Sequence, residues 1–370
     1  MSRENHVNSR QSASPWLPDT PAYSGFKPKP HNWLCLEAAQ ADQFESLILK
    51  QIPLPSEPIQ IERLQTEHDF PFGFYRLSFG ATDETQPWFI KVVNHHQAKR
   101  QAKANQVVTF LADRRAKQLK NSFATSVLLT GFPQQVTAEV SVLAYGYIDG
   151  RFLQPTLQDM QRLGKALAEL HAELKSYPQQ QVKSHGLKRH QHLKDLLEQL
   201  MDTQQIDLQN RVLAEALMAV FQHYPPTKLD VLIEKAQCVH GDTNVGNIWL
   251  ASDERLVFLD FEDALTAWFS PFMDLVFALE RFVLLQESEQ GKTVELAQAL
   301  LQSYQEQTNL KLRDASHIED ILQALAVRAL LLLMEVSKQN AIECDAEMEK
   351  FLYLYNWPLQ NRALLQKIFA

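Results

Sequence analysis

The sequence is short of cysteine. It has three among 370 residues, Cys35, Cys238 and Cys344, and they form no C-x-x-C pair. Cysteines so few and so widely spaced argue against a disulfide scaffold and a cysteine-built zinc site, and they favour a reducing, cytoplasmic compartment. The H-E-x-x-H motif is also missing, which leaves a zinc hydrolase without support.

Long apolar runs are lacking as well. The most apolar stretch, residues 329–334, is closed by Arg328 and Glu335 and is far shorter than the roughly 20 residues of a membrane-spanning helix. The first residues contain no apolar segment typical of a signal peptide. The formal charge of −8, from 36 basic and 44 acidic residues, argues against bulk nucleic-acid binding. We therefore expect no membrane and no nucleic acid among the partners.

The remaining composition is typical of a folded globular protein, with 45% apolar and 22% charged residues. Residues 1–30 hold five of the 17 prolines and are predicted to form a flexible tail. Two units are expected after it, a β-rich N-lobe over residues 31–145 and a helical C-lobe over residues 146–370.

The N-lobe is predicted from alternating and apolar runs. Tyr75–Phe79 and Trp88–Val93 flank a polar turn and indicate an antiparallel hairpin. The segment His95–Lys120 contains no glycine or proline and has apolar residues at helical spacing, so it is predicted to be an amphipathic helix. Two further strands are predicted over Ser126–Thr130 and Val140–Tyr145.

After Gly150 nearly all segments have helical periodicity. The exceptions are the short runs 237–240 and 256–260, which bracket a tight loop. Strands followed by helices, rather than alternating with them, predict an α+β fold and argue against a doubly wound sheet.

The densest group of chemically capable residues lies in that loop. Asp242 precedes Asn247 by five residues, and Asp260 follows a second apolar run. Two carboxylates and an amide on adjoining loops offer the hard oxygen ligands that Mg²⁺ prefers. A turn with Asx caps explains each residue singly but not their joint spacing.

Lys91 is a cation in the middle of an apolar run, Phe89 to Val93. A charge in that position is costly unless it has a partner or a ligand, although a lysine that extends to solvent from an edge strand is the simpler alternative. Metal, an aligned nucleophile and a cation on the phosphates are the parts that phosphoryl transfer needs.

The segment His240–Asn247 followed by Asp260 and Phe261 resembles the H-G-D-x-x-x-x-N and D-F/W-x motifs of the aminoglycoside phosphotransferase and choline kinase family. That family shares the two-lobed fold of the protein kinases. Leu163–His171, Tyr147–Gly150 and Ser270–Leu275 are similar to further family segments. The resemblance covers roughly residues 60–285 and implies a protein-kinase-like fold.

The resemblance implies a role for each matched residue. Asp242 would be the catalytic acid or base, Asn247 and Asp260 would hold magnesium, and Lys91 would contact the α and β phosphates. His240 and Asp274 would brace the catalytic loop. The hinge backbone would receive the adenine of ATP, at Ala144, Tyr145, Gly146 and Tyr147. Asn244 stands where protein kinases usually have a lysine, which favours the small-molecule kinases.

The implied activity is an ATP- and Mg²⁺-dependent transfer of the γ-phosphoryl group to a hydroxyl of a small molecule. Two features depart from the family pattern. Between Asn94 and Lys120 the only acid is Asp113, so the helix offers no well-placed glutamate for Lys91, which would pair with Asp260 or Gln101 instead. The loop 68–74, which should cover the phosphates, has a single glycine. A pseudokinase-like nucleotide-binding module and an atypical protein kinase are the alternatives.

The acceptor can be addressed only through charge. From Cys238 to Leu300 eleven acids stand against three bases. If Glu262, Asp263 or Glu280 faces the cleft, a cationic, amine-bearing alcohol would be favoured. The alternative is that these acids lie on solvated surfaces, and Glu262 is either a third metal ligand or one of those solvated residues.

Overall fold

The structure, a computed structural model, describes residues 32–65, 68–80, 86–116, 122–204, 206, 208–286, 289–340 and 344–370. The predicted tail over residues 1–30 lies outside the described residues. The elements of the first part of the chain are β1 (Trp33–Cys35), α1 (Ala38–Leu47), β2 (Gln60–Leu64), β3 (Gly73–Ser78), β4 (Trp88–Asn94), α2 (His95–Arg115), β5 (Phe123–Thr125), β6 (Gln134–Gln135) and β7 (Val140–Gly146).

Six of these strands form an antiparallel sheet in the order β1-β2-β3-β4-β7-β6. The predicted hairpin is present, with Leu77 of β3 opposite Trp88 of β4. Alternate residues of β3 are buried, as the pattern predicts, and Tyr75 stacks on Phe44 of α1 at 4.2 Å between ring centroids. The sheet therefore has its apolar face against α1.

Helix α2 follows β4 directly. Asn94 caps it by accepting a hydrogen bond from the Gln97 N–H. The residues that predicted its apolar face are all buried: Ala104, Val107, Val108 and Leu111. The predicted helix is thus present as far as Arg115, and residues 117–121 lie outside the described part of the chain.

The strand predicted over Ser126–Thr130 is wrong. Only Leu128 forms an isolated bridge, to Tyr145, and the Leu129 N–H donates to the Ala144 carbonyl. The edge of β7 is paired with β6 farther along, so this segment forms no continuous ladder; Leu128 is buried, and Val127 and Leu129 are partly buried. The strand in this region is β5, which comes just before it.

The second part of the chain is mainly helical. Its elements are β8 (Gly150–Phe152), α3 (Leu157–Leu174), α4 (Gln180–Thr203), α5 (Arg211–His223), β9 (Gln237–Cys238), β10 (Ile248–Ala251), β11 (Leu256–Phe258), β12 (Trp268–Phe269), α6 (Pro271–Leu279), α7 (Gln290–Gln307), α8 (Ala315–Asn340), α9 (Asp345–Gln360) and α10 (Arg362–Ile368). A short π-helical turn, Glu280–Leu284, follows α6. This arrangement is the two-lobed α+β fold that the motifs predict.

Two small sheets hold the loops of the second part. One has the order β5-β11-β10-β8, in which β5 is parallel to β11, and the other pairs β12 with β9. β5 lies within residues 31–145 but belongs to a sheet of the second part, and β7 extends one residue past that limit, to Gly146. The predicted lobe limits, 31–145 and 146–370, therefore stay a prediction. Within the described ranges, no helix combines the length and the apolar character needed to cross a bilayer.

Candidate active site

The loop after β9 is fixed by one buried carboxylate. Asp274, in the first turn of α6, is fully buried and accepts hydrogen bonds from two backbone N–H groups, that of His240 to Oδ2 at 2.8 Å and that of Gly241 to Oδ1 at 2.9 Å. The Thr243 hydroxyl donates to the Asp274 carbonyl oxygen at 2.8 Å. These three contacts therefore fix the backbone on both sides of Asp242.

Asp274 has a buried partner of its own. His171, near the end of α3, lies with Nε2 3.2 Å from Asp274 Oδ2 and with Nδ1 2.8 Å from the Tyr304 hydroxyl. His171 is thereby part of a buried hydrogen-bond network with Asp274 and Tyr304. The network joins α3, α6 and α7 behind the loop.

The His240 side chain links the loop to the end of β11. Its Nε2 lies 2.8 Å from the Leu259 carbonyl oxygen, and its Nδ1 accepts from the Asp242 N–H at 3.3 Å. This pattern requires the proton on Nε2 and an unprotonated Nδ1. The imidazole thus holds Asp242 and the residue before Asp260 in a fixed relation.

Asp242 is surrounded by side-chain amides. Asn247 Nδ2 donates to its Oδ2 at 2.7 Å, and Asn244 Nδ2 lies 3.0 Å from both carboxylate oxygens. Burial raises the pKa of Asp242, and the nearby Asp263 carboxylate acts in the same direction, while His240 and the two amides oppose them. Asp242 is thereby a fixed carboxylate with an elevated pKa.

Asn247 and Asp260 lie at neighbouring ends of two paired strands. Ile248 of β10 is opposite Phe258 of β11, and the Leu259 N–H donates to the Asn247 carbonyl at 2.9 Å. Asp260 has a φ of +54°, a left-handed conformation that is uncommon for a residue other than glycine. The turn that follows places its side chain, which is 42% exposed, at the cleft.

Lys91 pairs with Asp260. The ammonium contacts Asp260 Oδ1, and it lies about 6 Å from the ring centroids of Phe74 and Tyr145. Gln101, the other partner considered for Lys91, instead accepts from the Tyr145 hydroxyl at 3.3 Å. The carboxylate thus comes from the second lobe rather than from α2.

Helix α2 contributes an arginine, rather than a glutamate, to the contacts with the turn after β11. Arg100 contacts Asp263 and lies 3.4 Å from a carboxylate oxygen of Glu262. It therefore ties α2 to the turn that begins at Asp260. In the family pattern the helix supplies an acid, whereas here the helix contributes the cation and the loop contributes the acids.

A cavity of about 880 Å³ lies between the two lobes. Lys91, Asp260 and Glu262 give it charge, and aromatic rings line its sides: Phe74, Phe89, Tyr145, Phe152, Phe258 and Phe261. An apolar slot with a few charged groups at one end suits a planar base joined to phosphates.

Of the four hinge residues proposed for adenine, Tyr145 alone lines this cavity among the residues the structure describes. The Tyr147 N–H donates to the Pro87 carbonyl at 2.7 Å, and its own carbonyl accepts from Gln86. The Ala144 carbonyl is bonded to the Leu129 N–H. These backbone groups are therefore already paired within the protein.

The donor set suits magnesium shared with a ligand rather than a metal held by protein alone. Across the described ranges, no group of three or more His, Cys, Asp and Glu residues could hold a metal ion. Asn247 uses its amide nitrogen on Asp242, which leaves Oδ1 available, and Asp260 offers a carboxylate nearby. Mg²⁺ is usually bound by one or two such oxygens together with phosphates and water.

Sequence reasoning missed several residues of this site. Arg100 lies in a basic helix in which nothing singles it out. His171 and Tyr304 belong to helices that carry no motif of their own. The place of Asn244 was noted, but its contact with Asp242 was not. Each of these roles depends on which helix faces approach the loop, which local sequence does not state.

The family comparison agrees with this geometry. The profile of a family described as "Phosphotransferase enzyme family" matches residues 70–333, more than half of the chain. The match includes Lys91 and the whole loop from His240 to Asp260. No curated protein matches the chain.

Solved structures with the same fold cover most of the chain at low identity. A spectinomycin phosphotransferase in complex with ADP and spectinomycin is 12% identical, with a TM-score of 0.52 over 88% of this chain and 97% of its own. A choline kinase from Cryptosporidium parvum Iowa II is also 12% identical, with a TM-score of 0.52 over 89% and 100%. An amicoumacin kinase in complex with AMP-PNP, Ca²⁺ and Ami is 16% identical, with a TM-score of 0.50 over 87% of this chain and 95% of its own. At such identities the likeness establishes the fold.

Proposed function

The chain belongs to the phosphotransferase enzyme family, and we propose that it transfers the γ-phosphoryl group of ATP, in the presence of Mg²⁺, to a hydroxyl of a small molecule. The protein is on this view a small-molecule kinase. Two of the structural relatives are complexes with ADP or AMP-PNP, which supports a nucleotide donor.

One observation carries the proposal. Asp242 and Asn247 are hydrogen-bonded to each other, and the Asn247 backbone is bonded to Leu259, directly before Asp260 and its partner Lys91. Four chemically capable groups from distant parts of the sequence thus meet beside one cleft. Asx turns alone would not bring Lys91 there.

In the proposed mechanism each group has one task. Lys91 binds the α and β phosphates, and Asn247 and Asp260 hold Mg²⁺, which when bound neutralises phosphate charge. Asp242 orients the acceptor hydroxyl and takes its proton. His240 and Asp274 keep Asp242 in place. The adenine lies in the aromatic slot beside Tyr145, with the Gly146 backbone as the remaining hinge contact.

Glu262 is proposed to take part only indirectly. It lines the cavity, but it also lies beside Arg100, which competes with a metal for its charge. We therefore assign Asn247 and Asp260 to the metal and keep Glu262 as a supporting residue between α2 and the loop.

The test is a coupled ADP-release assay with Mg–ATP over amino alcohols, aminoglycosides, sugars, hydroxy acids, nucleosides and a protein substrate. Turnover of a small alcohol supports the proposal, and turnover of the protein alone supports an atypical protein kinase. A thermal shift with ATP and Mg²⁺ that is lost with EDTA, without any turnover, would indicate a pseudokinase-like module.

The acids that suggested a cationic acceptor have partners in the structure. Glu262 and Asp263 lie beside Arg100, and Glu280 is buried with a carboxylate oxygen 3.2 Å from Arg281 Nε. Burial raises the pKa of Glu280, and the charge of Arg281 opposes that shift. The preference for an amine-bearing alcohol therefore has little support from these residues.

A further inference from the structure

Arg328 lies in α8 and has no partner of opposite charge in contact. Its guanidinium carbon is 4.9 Å from the ring centroid of Phe269 in β12. Its Nε atom is buried and has no hydrogen-bond acceptor. Throughout the part of the chain that the structure describes, Arg328 makes no hydrogen bond and no salt bridge, although the side chain is only partly exposed.

This guanidinium is close to the catalytic loop. Phe269 is opposite Gln237 in β9, the strand that leads to Asp242. Two residues before Phe269, Ala267 lies so near the loop that a Cβ on Gly241 would come within 2.8 Å of its Cβ. Arg328 does not line the nucleotide cavity. It is nevertheless near enough to Asp242 and Asp263 for both carboxylates to act on its charge.

The carboxylates of this region are engaged with other groups. Asp263 contacts Arg100, and Asp242 accepts from its two asparagines. Glu335, two turns farther along α8, contacts Arg189 and His192. The field of Asp263 and Asp242 reaches Arg328, but burial is the larger influence and lowers the pKa of Arg328.

The surroundings add positive rather than negative charge. Arg189 and His190 of α4 line the same small cleft as Arg328. Lys183, on the same helix, lies with Nζ 5.6 Å from the Trp268 ring centroid. A poorly hydrated cation that lacks a counter-ion is costly, and a ligand anion removes that cost.

We propose that Arg328 binds an anionic group, a carboxylate or a phosphate, of the acceptor whose hydroxyl faces Asp242. The guanidinium fork suits both groups, since it can donate two parallel hydrogen bonds to their oxygens. The inference rests on the proposed function and specifies its substrate class. An alternative role, in which Arg328 only offsets the field of Asp242 and Asp263, predicts no preference among acceptors.

The first experiment compares acceptor alcohols that differ in charge, including one series on the glucose skeleton. ADP release with Mg–ATP is measured with glucose, glucosamine, glucuronate and glucose 6-phosphate, and with choline against glycerate and glycerol 3-phosphate. We expect turnover to be higher with the anionic acceptors than with the neutral or cationic ones. Comparison of the carboxylate acceptors with the phosphate acceptors then identifies which anionic group is bound. Preference for glucosamine or choline would overturn the inference and leave the kinase assignment intact.

The second experiment needs no turnover. With the nucleotide cavity saturated by Mg–ADP, inorganic phosphate and malonate are titrated by calorimetry into the wild-type protein, Arg328→Gln and Lys188→Gln. Lys188 is an exposed residue of α4 and serves as the control. We expect saturable binding whose Kd rises about 10- to 100-fold in Arg328→Gln and is unchanged in the control. An equal Kd in all three proteins, or no saturable binding by the wild type, would overturn the inference.

A stability measurement separates this role from a structural one. Because an unpaired buried charge opposes folding, Arg328→Met should raise the Tm in the absence of anions.

Mg–ADP binding is measured in the same proteins. Its absence in the wild type would contradict the proposed function, whereas anion binding that depends on Arg328 would still support the site.

Discussion

Lys91 and Asp260 form an ion pair although 169 residues separate them in the chain. The pair joins β4 to the turn after β11 and engages the two charges that the proposed chemistry assigns to phosphate and metal. Under the proposed assignment, loading the site would exchange these partners, with Lys91 passing to the phosphates and Asp260 to the metal. The ion pair is the state of the site before that exchange.

Replacement of Asp260 by alanine should abolish the magnesium dependence of nucleotide binding, since the variant lacks the metal carboxylate. The measurement is calorimetry with ATP, with and without Mg²⁺. Asn247→Ala should weaken the dependence less, because an amide carries no charge. Equal magnesium enhancement in wild type and Asp260→Ala would refute the assignment.

Replacement of Asp242 by asparagine should lower kcat by roughly 10²- to 10⁴-fold, the range for the loss of a positioned acid–base group, and leave nucleotide affinity near the wild-type value. Asp253→Asn is the matched control, because Asp253 is exposed and contacts only Arg255 at a distant turn. The assignment fails if Asp242→Asn keeps most of its activity.

The stability of the protein should also report the ionisation of Asp242. Its pKa is raised above the ordinary 3.8, so the folded state holds the proton more tightly than the unfolded state does. The stabilisation present below pH 3.8 is then lost as the pH rises through the folded pKa. Compared with Asp242→Asn, the wild-type protein should lose free energy of unfolding over that window and remain less stable above it. Urea titrations from pH 3.5 to 8 measure this difference, and a constant difference would contradict the buried-carboxylate argument.

A glycine in α4 should be sensitive to the smallest side chain. A Cβ on Gly186 would lie 2.3 Å from the Trp268 Cβ, so Gly186→Ala should cost about 1–3 kcal/mol of unfolding free energy despite the better helix propensity of alanine. Acceptor kcat/KM should fall more than nucleotide affinity, because Trp268 adjoins the loop that holds Asp242.

Gly291, near the start of α7, is the matched control. Apart from its own turn of helix, none of the residues that the structure describes comes within 4 Å of the Cβ position there, so Gly291→Ala should be neutral or stabilise by up to about 1 kcal/mol. Urea unfolding of both variants checks the pair. Similar losses at the two positions would mean that close packing on Trp268 is not the cause.

The parts of the site that could be predicted from the sequence are those whose residues lie close together in the chain. His240 to Asn247 is contiguous, and Asp260 follows a short strand that sets its position. Lys91 was recognisable because a cation in an apolar strand is conspicuous. Arg100 and Arg328 were not predictable, because their roles depend on which face of a long helix packs against a distant loop.

The fold was predictable to a similar extent. Alternating polar and apolar residues predicted β3, and apolar residues at helical spacing predicted α2, since both patterns are local. The strand predicted over Ser126–Thr130 failed because an apolar run becomes a strand only where a neighbour offers free backbone groups. Here that neighbour, β7, pairs with β6 farther along, so the segment forms only the isolated bridge from Leu128 to Tyr145.

The parallel pairing of β5 with β11 has a consequence for how the chain folds. A chain emerging from the ribosome has all strands of the six-stranded sheet once Gly146 is made, yet Phe123 has no strand neighbour until residues 256–258 follow. Its ring then packs on Phe258, at 5.6 Å between centroids. We therefore expect the first lobe to reach its final state only late in synthesis. A fragment that ends at residue 145 would expose an apolar strand edge prone to aggregation.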